Sequence, residues 1–386
     1  MTGRLMVGIL ALLCLTSAGE AAPLWRLGFY WSPAANTYPP QNVPWSKYTH
    51  VSQIGILPTK NCAIDDTTYA TDKVSRALVA HAHDHGAKVL ITLVEDQDTR
   101  AIVTCTTPGR IAAFVTALAA YVRENNYDGL DLDWEHNVVP SQYQDLVRRL
   151  RTAMPKSILT ADITVDQRGY LVGVQEHLDR VNIMNYDMSQ GDYHGNLLTE
   201  TWHHAALLSG GDIDEHQTAE ANVRYAIDSG LAPGKINLGL PFYGYVVQGC
   251  QKGFETSVGC KQGLTGPLQS VGSKGIRKTQ IEYNRVMADY GKGRLLWDTS
   301  HKTPYIAFAA PPGVPCRKEP CPGDAFVTYA DPRQMTEAVT FLLDNKLGGI
   351  MAFALHQEFM ADDTGDARYP LSSAIYHAMT GRDPLQ

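Results

Sequence analysis

Short apolar runs rich in β-branched and aromatic residues alternate with amphipathic stretches along most of the chain. Residues 27–31 (LGFYW), 49–57, 88–94 (KVLITLV), 129–135 (GLDLDWE), 158–163, 181–186, 235–242 (KINLGLPF) and 349–355 read as eight strands. The near-continuous apolar character of 88–94 is that of a parallel strand buried on both faces. Helical patterning marks 74–85, 111–123, 142–152, 171–178, 218–228, 332–345 and 372–380, with Gly86 and Gly230 as stops. Strands each followed by a helix predict a parallel sheet with helices outside, so the fold class is α/β. Eight such units in a chain of this size predict a closed (β/α)8 TIM barrel. The alternation breaks over 245–328, which is rich in Gly and Pro and holds β-like pieces at 305–308 and 326–329. This predicts a small α+β insertion between strand 7 and helix 7. The division is then 1–22 as a leader, 23–244 with 329–386 as the barrel, and 245–328 as the insertion.

Composition adds exclusions. The 386 residues are 44% hydrophobic, and 33 Lys and Arg face 40 Asp and Glu, a formal net charge of −7. That argues against intrinsic disorder and against a cationic nucleic-acid binder. No G-x-G-x-x-G follows the first strand and no P-loop occurs, so no nucleotide cofactor is expected. Arg4 precedes an uncharged apolar run, 5–15, and then Ser17, Ala18, Gly19, Ala21 and Ala22. This is the pattern of a cleaved secretory leader, and the run is too short for a membrane anchor. A secreted monomer is the expectation. Cys14 falls in the leader, leaving Cys62, Cys105, Cys250, Cys260, Cys316 and Cys321. An even count in an exported chain suggests disulfides. Proximity pairs Cys250 with Cys260 and Cys316 with Cys321, which leaves Cys62 with Cys105. Zinc is the competing use of Cys316-x4-Cys321, but no second close pair accompanies it, and no metal site is expected.

The most informative segment is Asp128-Gly129-Leu130-Asp131-Leu132-Asp133-Trp134-Glu135. Side chains on a strand alternate faces, so Asp131, Asp133 and Glu135 share one face and Leu130, Leu132 and Trp134 the other. In a barrel the acidic face points inward, where each charge loses solvation. Such carboxylates must share protons, be hydrogen-bonded or serve chemistry. Close carboxylates push each other's proton affinities apart, so that one can stay protonated near neutral pH, as a general acid requires. Glu135, last in the strand, reaches the C-terminal mouth, where barrel active sites are built. An edge strand with a solvated acidic face and a divalent-cation site are the competing readings.

DGLDLDWE matches the DGxDxDxE signature of glycoside hydrolase family 18, the chitinases and their relatives. Met184-Asn185-Tyr186-Asp187 resembles the family's M-x-Y-D motif at strand six, and Gly239-Leu240-Pro241-Phe242-Tyr243-Gly244 its seventh-strand motif. The stretch from Tyr245 through Tyr305 to Pro332 resembles the chitinase insertion domain. Four places depart from the pattern. The third-strand S-x-G-G motif is Thr92-Leu93-Val94-Glu95, a first-strand Tyr is Phe29, the eighth-strand Trp is Phe353, and the Tyr after the acid is His136.

The resemblance implies substrate-assisted retention, an exception to the two-carboxylate scheme. Glu135 would protonate the leaving oxygen and the substrate's 2-acetamido oxygen would attack the anomeric carbon. Asp133 would hold the acetamido group, Asp131 would share a proton with Asp133, Tyr186 would hydrogen-bond the acetamido oxygen, and Asp187 would support the sugar. Met184, Phe353, Tyr30, Trp134 and Tyr243 complete the expected substrate-binding set, with the partner being chitin or another N-acetylglucosamine polysaccharide. Two other readings stay open: a non-catalytic chitin lectin on the same fold, and an endo-N-acetylglucosaminidase acting on glycoprotein glycans.

Overall fold

The computed structural model describes residues 23–95, 100–164, 168–189, 200–210, 217–248, 266–268, 277–307 and 325–381. The predicted leader and Cys250, Cys260, Cys316 and Cys321 lie outside these residues. Eight parallel strands form the barrel: Trp25–Trp31, His50–Pro58, Lys88–Val94, Gly129–Asp133, Ile158–Ile163, Arg180–Ile183, Ile236–Pro241 and Gly349–Phe353. Each pairs with the next, and the first pairs with both the second and the eighth, for example Leu27 with His50 and with Met351, which closes the sheet. Their order is that of the eight predicted strands. The fourth is shorter than expected and ends at Asp133, and the sixth ends at Ile183.

Strand alternation divides the residues into two layers. Outward side chains such as Leu130, Leu132, Leu159 and Val181 join the main core under helices that include Ile111–Glu124, Pro140–Ala153 and Pro332–Asp344. Inward side chains split into two halves. Strands one and eight supply an apolar half: Leu27, Phe29 and Met351, extended by Ile54, Met184, Tyr186 and Phe353. Strands two to seven supply a polar half: Ser52, Thr92, Asp131, Thr160, Asp162, Asn182 and Asn237, all buried. Buried polar groups cost stability unless bonded to one another, and these are. Ser52 and Thr92 hydroxyls lie 2.7 Å apart, Thr92 donates to Asp131 at 3.2 Å, Asn182 donates to Asp162 at 2.7 Å, and Asn237 donates to Asn182 at 2.8 Å.

Between the seventh barrel strand and the helix Pro332–Asp344 lies a second sheet. It is antiparallel and five-stranded, in the order Arg277–Glu282, Tyr243–Gln248, Ala325–Thr328, Thr303–Ala307, Arg294–Asp298, with the helix Tyr283–Tyr290 beside it. A disulfide joins Cys62, after the second strand, to Cys105, at the end of the short helix Ala101–Cys105. No helix among the described residues is long and apolar enough to cross a membrane.

Candidate active site

Asp131 sits in the polar half of the barrel, fully buried. It accepts hydrogen bonds from the hydroxyls of Thr160 and Thr92, and the Asn182 amide lies 3.4 Å away. Burial raises its proton affinity, and these donors work against that rise. Asp162, on strand five, is hydrogen-bonded to Asp131. Burial and the neighbouring Asp131 and Asp133 charges push Asp162 well above the usual carboxylate range. Two carboxyls so close and so buried hold a proton between them. One turn of the pleat higher, burial and then the Glu135 and Asp131 charges push Asp133 well up as well. Its Oδ1 is buried and has no hydrogen-bond partner.

Glu135 stands two residues beyond the last sheet residue, half-buried at the mouth. Burial raises its proton affinity, with Asp187 and Glu95 adding to the rise and His136 and a hydrogen bond with Asp133 opposing it. A carboxyl of raised proton affinity beside a second buried carboxyl is the arrangement a general acid needs.

Across the mouth, Phe353, Tyr186 and Tyr243 form an aromatic cluster. Phe353 lies 5.9 Å from Tyr186, 5.8 Å from Phe29 and 6.2 Å from Tyr243, centroid to centroid. The Tyr186 hydroxyl lies 3.8 Å from Met351 Sδ, and burial pushes its ionisation well up, so it is a neutral phenol. Met184 packs in the same interior cluster. Asp187 has a left-handed backbone, φ +64°. Its carboxylate accepts from the Tyr243 and Tyr245 hydroxyls at 2.7 and 2.9 Å, and its main-chain N–H donates to His204 Nδ1 at 3.1 Å. Burial opposes ionisation of Asp187, but His204 and the two phenols outweigh it and hold the carboxyl below its usual range. A cavity of about 370 Å³ continues the cleft past Phe353, lined by Trp31, Gln280, Ile281, Glu282, His356 and Gln357.

Two expected substrate contacts lie elsewhere. Tyr30 is fully buried in the outer layer and donates to the Tyr38 carbonyl at 2.9 Å, because Leu27, Phe29 and Trp31 take the inward parity of strand one. Trp134 is buried among the helices, 5.8 Å from the Tyr143 ring, with Nε1 donating to the His136 carbonyl. Its parity matches Leu130 and Leu132, so it packs outward rather than toward a ligand. Tyr243 reaches the site through Asp187 and is itself almost wholly buried. Asp162, Asn182, Asn237 and Glu95 were not foreseen. The signal for the first three was present: a lone Asp or Asn inside an otherwise apolar strand is a polar group with nowhere to go but the barrel interior.

One group of described residues has ligand atoms close enough to hold a metal ion, His203, Asp298 and His301, within 4.8 Å of one another. Asp298 Oδ2 instead accepts from His203 Nε2 at 2.9 Å and His301 Nδ1 at 2.8 Å, while its Oδ1 caps the N–H groups of Ser300 and His301. Burial opposes the charge, but the two rings hold Asp298 far below its usual range. The contact fastens the segment that carries His204 to the outermost strand of the second sheet.

The profile of glycosyl hydrolases family 18 matches residues 26–358. Among curated proteins, the chain is 25% identical over 284 residues to Putative chitinase 1 of Margaritifera margaritifera, covering 69% of this chain and 55% of that protein. It is 23% identical over 374 residues to the Endochitinase of Brugia malayi, covering 89% and 69%. The chain thus spans little more than half the length of the first of these. Among solved structures, the second catalytic domain of the Group II chitinase of Ostrinia furnacalis superposes with TM-score 0.74 at 20% identity, over 93% of this chain and 97% of that one. Human YKL-39, described as a pseudo-chitinase with retained chitooligosaccharide binding, superposes with TM-score 0.72 at 17% identity, over 92% and 99%. At these identities the structural likeness establishes the fold alone.

Proposed function

Because the chain belongs to glycosyl hydrolases family 18, we propose that it is a secreted glycosidase cleaving β-1,4 linkages between N-acetylglucosamine units of chitin or chitooligosaccharides. The observation that carries the reading is Glu135: a half-buried carboxyl of raised proton affinity at the barrel mouth, beside Asp133, whose proton affinity is raised as well, and facing an aromatic wall. Export is part of the same reading and rests on the leader-like pattern and the Cys62–Cys105 bridge.

In this reading Glu135 gives its proton to the glycosidic oxygen as the bond from that oxygen to the anomeric carbon breaks. The 2-acetamido carbonyl oxygen forms the new bond to the anomeric carbon from the opposite face. Asp133, whose Oδ1 is buried without a partner, accepts the acetamido N–H and stabilises the positive oxazolinium. Asp131, next on the same inward face, shares the Asp133 proton and takes it over as the oxazolinium forms, leaving the negative charge on Asp133 opposite that cation. Tyr186 donates its hydroxyl to the acetamido oxygen, and Asp187, fixed by two phenols, supports the sugar. Water then attacks the anomeric carbon as its bond to the acetamido oxygen breaks, and the Glu135 carboxylate takes the proton. Two inversions give net retention. A sugar without the acetamido group offers no nucleophile.

General acid catalysis contributes roughly 10²- to 10⁴-fold. Glu135→Gln keeps the shape but has no proton to give, so hydrolysis of a chitin oligomer should fall by at least that factor while calorimetric binding persists. A chain with no turnover before mutation, yet good oligomer binding, would make it a lectin, the state the YKL-39 description gives that protein. Turnover on glycoprotein glycans but not chitin oligomers would favour the endo-N-acetylglucosaminidase.

A further inference from the structure

Strand four stops at Asp133, so the turn bearing Glu135 lies outside the sheet ladder. Asn137, in the same turn, has a left-handed φ of +52°. Glu95 lies next to this turn, just after the end of strand three. Its main-chain N–H donates to the Asp133 carbonyl at 3.0 Å. Its side-chain Oε2 accepts from the His136 main-chain N–H at 2.6 Å. One residue therefore grips the chain on both sides of Glu135.

The burial of Glu95 is costly. Its side chain is 5% exposed, Oε1 is buried with no hydrogen-bond partner among the described residues, and His136 Nδ1 lies 3.3 Å from Oε2. A half-satisfied buried carboxylate carries a desolvation cost that an apolar side chain would not. Stability alone does not call for it at this place. The pattern this chain resembles has glycine here, and glycine has no side chain with which to hold residue 136.

We propose that Glu95 is a positioning residue for Glu135, fixing the acid by clasping Asp133 and His136, an inference that rests on the reading of Glu135 as the acid. A charge-assisted bond as short as that to His136 N–H is among the stronger neutral-to-charged contacts available to a turn. It sets the height of the Glu135 carboxyl above the barrel floor. Misplacing a reacting group by about 1 Å costs on the order of 10²-fold in rate. The charge of Glu95 acts in the same direction, since a neighbouring anion favours the protonated form of Glu135.

Two variants test this with the full chain on a chitin oligomer. Glu95→Met keeps the volume, removes the acceptor and avoids a buried charge, so it should fold. Its kcat should fall about 10- to 100-fold, with oligomer binding within twofold of the natural chain. Glu95→Gln keeps an acceptor for His136 N–H and should restore kcat to within about fivefold of natural. Near-natural kcat in Glu95→Met overturns the inference, as does equal impairment of both variants. So does a proportionate loss of binding and turnover, which would mark Glu95 as a purely structural residue. If the natural chain itself lacks turnover, the acid reading fails and this inference falls with it.

Discussion

Phe353 occupies the place where the family pattern has a larger ring. It is half-buried, set against Phe29 and Tyr186 on one side and open to the cavity beside Trp31 on the other. An indole there has room to grow toward the cavity and adds stacking area. Phe353→Trp should tighten oligomer binding by about 0.5–1.5 kcal/mol, read by calorimetry; weaker binding or loss of folding would show that the ring packs as core. At this scale the acidic strand was legible because alternation assigns faces without knowledge of neighbours. Tyr30 and Trp134 were misassigned by the attraction of an aromatic near a motif, although the same parity rule places both outward. Glu95 was visible only as a departure from a glycine pattern. Its role depends on a contact with strand four that no local sequence feature encodes.

The last helix, Pro370–Thr380, has no side chain on its N-cap residue to satisfy its first N–H groups. Glu358, from a different segment, does this instead, accepting from the N–H groups of Leu371 at 2.6 Å and Ser372 at 3.0 Å and from the Ser372 hydroxyl. Burial outweighs these donors and Lys47, and raises the Glu358 carboxyl from 4.5 to about 7. The folded state thus binds this proton more tightly than the unfolded chain. The associated stabilisation is complete below about pH 4.5 and lost as pH rises through about 7. Relative to Glu358→Gln, the natural chain should lose on the order of 3 kcal/mol of unfolding free energy between pH 4.5 and pH 8. Urea titrations of both proteins at the two pH values measure it, and a pH-independent difference would refute it. Among the elements, the barrel strands were legible because burial on both faces writes a continuous apolar run. The strands Arg277–Glu282 and Arg294–Asp298 were not, being the two edges of the second sheet and carrying exposed polar side chains. The helix Ala101–Cys105 is too short to show a period.

For the whole molecule, the closed barrel leaves no free strand edge in its own sheet. At its mouth the Cys62–Cys105 bridge ties the stretch after strand two to the stretch after strand three. It closes a stretch with a sequence separation of 43, for which chain-entropy reasoning gives about 4 kcal/mol. Replacing both cysteines by serine should lower the free energy of unfolding by up to that amount, measured by denaturant titration; an unchanged midpoint would mean the denatured chain gains nothing from release. The bridge has another side. Glu95 and Cys105 bound one short length of chain, gripped at one end by Asp133 and His136 and at the other by Cys62. In oxidising surroundings the bridge is a rivet through two stretches of chain that leave neighbouring strands. Reduction draws the rivet and leaves the barrel to be held by its own ladder, closed through strands one and eight. The redox state of the medium thus becomes a dial on how firmly the fold is held.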